Sequence, residues 1–347
     1  MQFIKPGTHI DFMGMRKLGF IFSLILILAG IVSLIIHNGP NYGIDFAGGT
    51  LVQVKFSQKV DVSDIRKGLD EIGLKDVSVQ GFGEQGAHEY LIRTSSDADA
   101  LGNQLSDTVS KGLKDATSLE PDIRRVEMVG PQVGNDLKKK ALLAIFYSLL
   151  FITIYISGRF EQKWTIAGIT AGALMAAVYF LSVFNLSMPF LIAAALVVSL
   201  VLFWYLQLQY AIGAIVALIH DVTITVGVFS LLNLDFSLQI IAALLTIIGY
   251  SLNDTIIVFD RIRENIKGNS DHSLVPDLFN RSINETLSRT ILTSFTTLVV
   301  LLALFFLGGE IIHNFAFAMI IGIVVGTYSS IFIASPIVFM AHRNKKG

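Results

Sequence analysis

The stretch 210–232 reads Tyr-Ala-Ile-Gly-Ala-Ile-Val-Ala-Leu-Ile-His-Asp-Val-Thr-Ile-Thr-Val-Gly-Val-Phe-Ser-Leu-Leu. A helix needs roughly twenty apolar residues to cross a bilayer core. His220 and Asp221 fall near the middle of this run. An ionisable group there costs about 3 kcal/mol by insertion scales, so it needs a reason to be present. Gly213, Ala217, Asp221 and Thr225 recur every fourth residue. They therefore share one face, and small residues at that spacing let a neighbouring helix approach closely. Asp221 is expected to point into a helix bundle, as a protonatable carboxylate in an ion path or as a buried packing acid. His220 lies about 100° further round the helix. It is a second candidate for the path or a satisfied packing histidine.

The rest of the chain supports a membrane reading. Of 347 residues, 53% are hydrophobic and 15% charged. Soluble chains carry about 25% charge, so this is an integral membrane protein. Residues 38–138 sum to a net charge of −5 and the remainder to +4. A mildly acidic domain set in a basic membrane body argues against nucleic-acid binding, which uses a basic patch. Without cysteine there is no disulfide or thiol chemistry.

In chain order, residues 1–17 form a short polar, cytoplasmic N-terminus and 18–36 a first, uncleaved transmembrane helix. Lys and Arg before it place the N-terminus inside. Residues 37–140 form an external α+β domain. Strand-type alternation marks 51–56, 77–82, 90–94 and 123–129, and helical spacing marks 62–72 and 98–113, with Asp97 as a possible cap. The order β-α-β-β-α-β is the ferredoxin-like arrangement. Residues 141–340 are a transmembrane bundle, with apolar runs at 141–157, 164–184, 188–206, 210–232, 238–259, 290–307 and 315–340. The pair 164–206 forms a hairpin, with Trp164 and Trp204 at its cytoplasmic ends. Segment 260–289 is polar and, with Arg261, Arg263, Lys267, Arg281 and Arg289, cytoplasmic, and 341–347 is a cytoplasmic tail. The fold class expected is thus a polytopic α-helical membrane protein of eight spans with an external ferredoxin-like domain, both chain ends inside.

A second polar constellation lies in the run 238–259. Tyr250 and Asp254 share a face, as do Gly249 and Asn253. Asp254 and Asn253 are candidates to exchange a proton with Asp221 or hold a partner; the alternative is a polar patch tying helices together. Thr290, Thr293, Ser294 and Thr297 make a hydroxyl stripe suited to a water chain, or simply bonded to their own helix. Gly322, Gly326 and Ser330 make a small-residue packing stripe. The sequence has no phosphate-binding Gly-rich loop, metal-spaced Cys/His cluster or nucleophile-base pair, so no enzyme, cofactor or metal is expected.

These residues also carry a resemblance. Gly43-Ile44-Asp45-Phe46-Ala47-Gly48-Gly49-Thr50, Val129-Gly130-Pro131-Gln132-Val133-Gly134, Ala217-Leu218-Ile219-His220-Asp221-Val222 and the segment 249–265, with Gly249, Asp260 and Arg261, resemble motifs of the SecF family. These are protein-export membrane subunits of the resistance–nodulation–division superfamily. The resemblance implies six helices, a periplasmic domain and residence in the bacterial inner membrane. It implies pairing with SecD, work beside the SecYEG channel on unfolded exported polypeptide, and use of proton flow. The family runs from an Arg-Phe-Glu segment almost directly into the Asp-bearing span. Here Arg159-Phe160-Glu161 is followed by the hairpin 164–206. A proton-driven small-molecule exporter of the same superfamily and a structural scaffold are the competing readings.

Overall fold

The computed structural model describes residues 9–74, 77–82, 88–94, 105–182, 188–268 and 276–343. A long helix, α1 (Arg16–Ile36), leads to a short turn of helix, α2 (Ile44–Ala47), and then to a small sheet. Its strands β1 (Gly49–Lys55), β2 (Ser78–Phe82), β3 (Glu89–Thr94) and β4 (Asp122–Val129) alternate with α3 (Val62–Glu71) and α4 (Leu105–Thr117) as β-α-β-β-α-β. The sheet order is β2-β3-β1-β4, and every neighbouring pair is antiparallel. The second helix, expected from 98, is described from Leu105; Asp97 lies outside the described residues.

Strand alternation decides which sheet face is covered. Val52, Val54, Tyr90 and Ile92 turn inward onto Ile65 and Leu69 of α3 and Val109 and Leu113 of α4. Gly68 and Gly112 let the two helices touch: a Cβ at Gly68 would sit 2.6 Å from the Gly112 carbonyl oxygen. The opposite face, with Leu51, Gln53, Leu91, Arg93, Arg125 and Glu127, carries no helix among the described residues and lines a cavity of about 320 Å³ beside the membrane helices.

The bundle follows: α5 (Pro131–Glu161), α6 (Trp164–Ser182), α7 (Met188–Tyr205), α8 (Gln209–Leu231), α9 (Leu238–Gly268), α10 (Pro276–Leu307) and α11 (Glu310–Ser329). A five-residue π turn, Ser330–Ala334, then leads into α12 (Ser335–Arg343). Pro336 explains the break in the last expected span: it lacks an N–H, and its ring clashes with the carbonyl four residues back. Several helices overrun the expected spans. Lys138, Lys139 and Lys140 lie within α5, and the segment 260–289 is helical wherever it is described.

Among the described residues, seven helices are long and apolar enough to cross a membrane; the apolar stretch of α7, Phe190–Tyr205, is shorter. The protein is a multi-pass membrane protein. The apolar window of α8 is 67% buried, against 17–56% for the other six, so α8 is the bundle's centre. Its small residues set that position. At Gly227 it crosses α1 so closely that a Cβ would lie 2.8 Å from the Gly30 Cα. At Gly213 a Cβ would lie 3.0 Å from the Ala334 carbonyl oxygen. Ala217, on the same face, is 1% exposed.

Candidate functional site

Asp221 is fully buried at the heart of α8. Its Oδ2 accepts from Ser251 Oγ of α9 at 2.5 Å and from Ser329 Oγ of α11 at 2.9 Å. Its Oδ1 lies 2.9 Å from His220 Nδ1. The other ring nitrogen, Nε2, lies 2.9 Å from Ser23 Oγ of α1. Ser23 in turn donates to Tyr328 Oη at 3.1 Å, which donates to the Gly19 carbonyl at 2.6 Å. Three helices thus meet on Asp221, and α1 joins them through His220. The direction of this chain fixes a proton count. With Ser23 and Tyr328 both donating onward, Nε2 must donate to Ser23. The pair His220–Asp221 then holds one proton between them and is neutral overall, as burial in hydrocarbon requires.

Asp254 is held quite differently. It is 1% exposed, and its Oδ2 has one contact, Ser294 Oγ at 3.4 Å. Ser294 lies 2.6 Å from Thr327 Oγ1, which gives its own proton to the Ile323 carbonyl at 2.8 Å. Ser294 has a single proton and its short bond is to Thr327, so it has little left for Asp254. Among the described residues, Asp254 Oδ1 and Thr290 Oγ1 are buried without a hydrogen-bond partner. Thr290 shares the Ser294 face of α10, one turn along. Arg289 is the cation whose field reaches Asp254. A protonated Asp254 completes the series: it donates to Ser294, Ser294 to Thr327, and Thr327 to the backbone.

The two clusters flank α11, where small residues give them room. A Cβ at Gly326 would lie 2.9 Å from Ser251 Cβ and 3.5 Å from Asp221 Oδ2. One at Gly322 would press on Ile247, 2.8 Å from its Cγ2. Asp221 does not meet Asn253 or Asp254, the partners expected from sequence. Asn253 is exposed on the outer face of α9, and Gly249 has open space beside it. Of the hydroxyl stripe, Thr293 bonds its own helix. Thr297 bonds its helix and also accepts from Tyr250 Oη at 3.1 Å. Ser23, Ser251, Tyr328 and Ser329 were not legible as site residues. One signal was present: Gly19, Ser23, Gly30 and Ser33 are the buried positions of an otherwise Leu/Ile-rich α1.

At the domain-side end of the bundle, the connector after α1 grips the turn between α8 and α9. Tyr42 and Phe236 form a parallel bridge, with Phe236 N donating to Asn41 O at 2.7 Å and Gly43 N to Phe236 O at 3.0 Å. Asp45 Oδ2 accepts from Leu238 N at 2.8 Å, capping the first turn of α9. Gly48 adopts φ +75, and a Cβ there would lie 2.9 Å from the Pro131 Cα, at the start of α5. Gly49 follows at φ +111. Gly130 is the N-cap of α5, and Pro131 its first residue.

At the far end, Arg159 donates to Asp260 at 2.6 Å, and Phe160 stacks on Tyr210 with centroids 5.1 Å apart. Glu161 accepts from Tyr210 N at 2.9 Å, at the start of α8. Arg261 pairs with Glu285 at 2.6 Å and Glu264 at 2.8 Å. The Arg-Phe-Glu segment and the Asp260-Arg261 pair therefore clamp α5, α8, α9 and α10 together. No group of His, Cys, Asp and Glu suited to a metal ion occurs among the described residues.

Comparison with known proteins gives a consistent result. The family model described as "Protein export membrane protein SecD/SecF, C-terminal" matches residues 108–190 and 182–344, two stretches that overlap from the end of α6 to the start of α7. The "SecD/SecF GG Motif" model matches 33–60. A protein translocase subunit SecF of Calditerrivibrio nitroreducens is 41% identical over 100% of this chain and 98% of the relative. One from Vibrio alginolyticus is 40% identical over 96% of this chain and 90% of its own. The crystal structure of SecDF, a translocon-associated membrane protein from Thermus thermophilus, matches with TM-score 0.71 and 32% identity over 97% of this chain. SecDF in a super-membrane-facing form matches with TM-score 0.62 and 34% identity over 100% of it. The chain spans about 40% of the length of those solved SecDF chains.

Proposed function

Because this chain belongs to the SecD/SecF family of protein-export membrane proteins, as a relative of the SecF translocase subunits, we propose that it is the proton-coupled SecF-type half of a translocon accessory complex. Its partner is a SecD-type chain, supplying the part of the solved SecDF chains that this one does not span. The pair works beside SecYEG on unfolded exported polypeptide in the bacterial inner membrane. In this reading the chain makes eight spans, with the domain in the periplasm and both chain ends in the cytoplasm. The β-α-β-β-α-β order and the sheet order β2-β3-β1-β4 support a ferredoxin-like reading of that domain. No catalytic centre or cofactor is part of this reading.

The observation that carries the proton role is the contrast between the two acids. Asp221 keeps its serine donors when the shared proton moves to His220, so either placement of that proton suits the same packing. Deprotonated Asp254 has one contested hydroxyl and an orphan oxygen. An unpaired buried carboxylate costs several kcal/mol, so its helices must rearrange to find water or the Arg289 charge. A proton can drive a stroke only if it binds the two arrangements with different affinity. Asp254 meets that condition. Asp221 and His220 organise the neighbouring helices around one shared proton. The membrane potential supplies about 2.3 kcal/mol per charge per 100 mV, the energy such a cycle draws on.

The test is complementation of a SecF-depleted strain. Asp254→Asn keeps the size and an acceptor but cannot titrate. It is expected to insert, to co-purify with SecD and to lose proton-dependent export. Full export by this variant across a range of proton-motive force would leave the acid a packing residue and the scaffold reading standing.

A further inference from the structure

Arg93 of β3 lies on the helix-free face of the sheet. Its Nη1 donates to Asp235 Oδ1 at 2.6 Å, and its Nη2 pairs with Asp235 Oδ2. Asp235 belongs to the turn between α8 and α9, so this fork joins the domain to the bundle. The side chains are only 18% and 21% exposed. Burial lowers the guanidinium from its ordinary value, and the carboxylate offsets that cost. Asn41 Nδ2 adds a bond to Asp235 Oδ1 at 3.2 Å. Around the fork, Tyr42, Phe46 and Phe236 pack ring to ring, and the Lys138 ammonium sits 3.8 Å from the Tyr42 ring centroid. The cavity beside the fork separates the rest of this sheet face from the starts of α9 and α11. Contact across the gap is therefore concentrated at one corner.

We infer that Arg93 and Asp235 form a permanent coupling, which holds the domain to the α8–α9 turn so that the sheet follows α9 as one body. The inference rests on the proposed export role. The physical reason is the length of α9. Asp254 stands sixteen residues after the Asp45-capped Leu238, about 24 Å along a stiff helix. A shift forced on α9 at Asp254 reaches its capped end nearly undiminished, and there the fork turns it into a tilt of the sheet. Too many contacts join the connector, the turn and Lys138 for the joint to open in each cycle.

The absence of cysteine makes the joint directly testable. Spin labels on Glu71→Cys in the domain and Leu231→Cys at the end of α8 report the distance between the two bodies, whatever the protein transports. One narrow distribution is expected for the parent, a broad one for Arg93→Glu, and a narrow one again for Arg93→Glu combined with Asp235→Arg. A distribution unchanged in Arg93→Glu overturns the coupling. Export is read in parallel in the full chain with its SecD partner. Arg93→Glu is expected to lose export and the charge-reversed pair to regain it. Arg93→Cys with Asp235→Cys, bridged by a reducible bis-methanethiosulfonate, is expected to export as well as the same variant charge-reversed chain does. Export blocked by the bridge and restored by reductant would show that the joint must open, which overturns its permanence. Distances that broaden and narrow as expected, with no effect of any variant on export, would instead remove the export role.

Discussion

Ser251 on α9 donates to Asp221 Oδ2 on α8 at 2.5 Å, and Ser329, the last residue of α11, donates to the same oxygen at 2.9 Å. One carboxylate oxygen therefore binds three helices at the step just before the π turn. This is how a chain tolerates an acid in its most enclosed span: the donors arrive from neighbours, and the acid fixes their mutual rotation.

The consequence for mutation is asymmetric. Asp221→Asn can still accept from both serines and donate to His220 Nδ1, so we predict normal insertion and substantial export. Asp221→Ala strands Ser251 and His220 Nδ1, at about 1–3 kcal/mol for each unsatisfied buried group, while Ser329 keeps the Gly326 carbonyl at 3.1 Å. It should lower the detergent-solution Tm markedly and reduce the level of protein in the membrane. An Asp221→Asn chain as defective in proton-dependent export as Asp254→Asn would merge the two acids into one relay.

The connector between α1 and the domain has no slack at Gly48. Its backbone is in a region that is essentially glycine-only, costing about 1–3 kcal/mol for other residues, and a side chain would meet Pro131. Gly48→Val is predicted to displace the start of α5 from the connector and to impair export while the spans still insert. The neighbouring Gly130→Ala has open space and φ −65. It should be nearly silent, and comparable loss in both variants would point to a general sensitivity of the linker instead.

Orientation is the third expectation. Tags after residue 347 and within 159–163 should be shielded from the outside in intact cells. Tags at 84 and 185 should be accessible there, since lysines and arginines flank the inward ends. A shielded tag at 185 would remove the hairpin α6–α7 from the list of spans and leave the chain with six.

What the sequence determined by itself was everything carried by local periodicity. Apolar runs of spanning length became helices, and the alternation around Val52 and Val54 became a half-covered sheet. The spacing of Gly213, Ala217 and Asp221 put them on the buried face of α8. A period of 3.6 or 2 is a property of consecutive residues, so it can be read without knowing the neighbours. The partners could not be read that way. Within one motif, the sequence pointed to Asn253, yet Ser251 meets Asp221 and Asn253 turns outward. Arg93 and Asp235 pair across 142 positions of sequence, a separation that no local pattern spans. Glu161, known from the sequence only as part of the Arg-Phe-Glu segment, holds the first turn of α8. Each of these contacts depends on the angle and depth at which one element packs on another. That geometry is set by small residues such as Gly30, Gly227 and Gly326 and by the break at Pro336, acting together across the bundle. Only the assembled tertiary structure decides which acid is fully satisfied and which is left with an oxygen to spare.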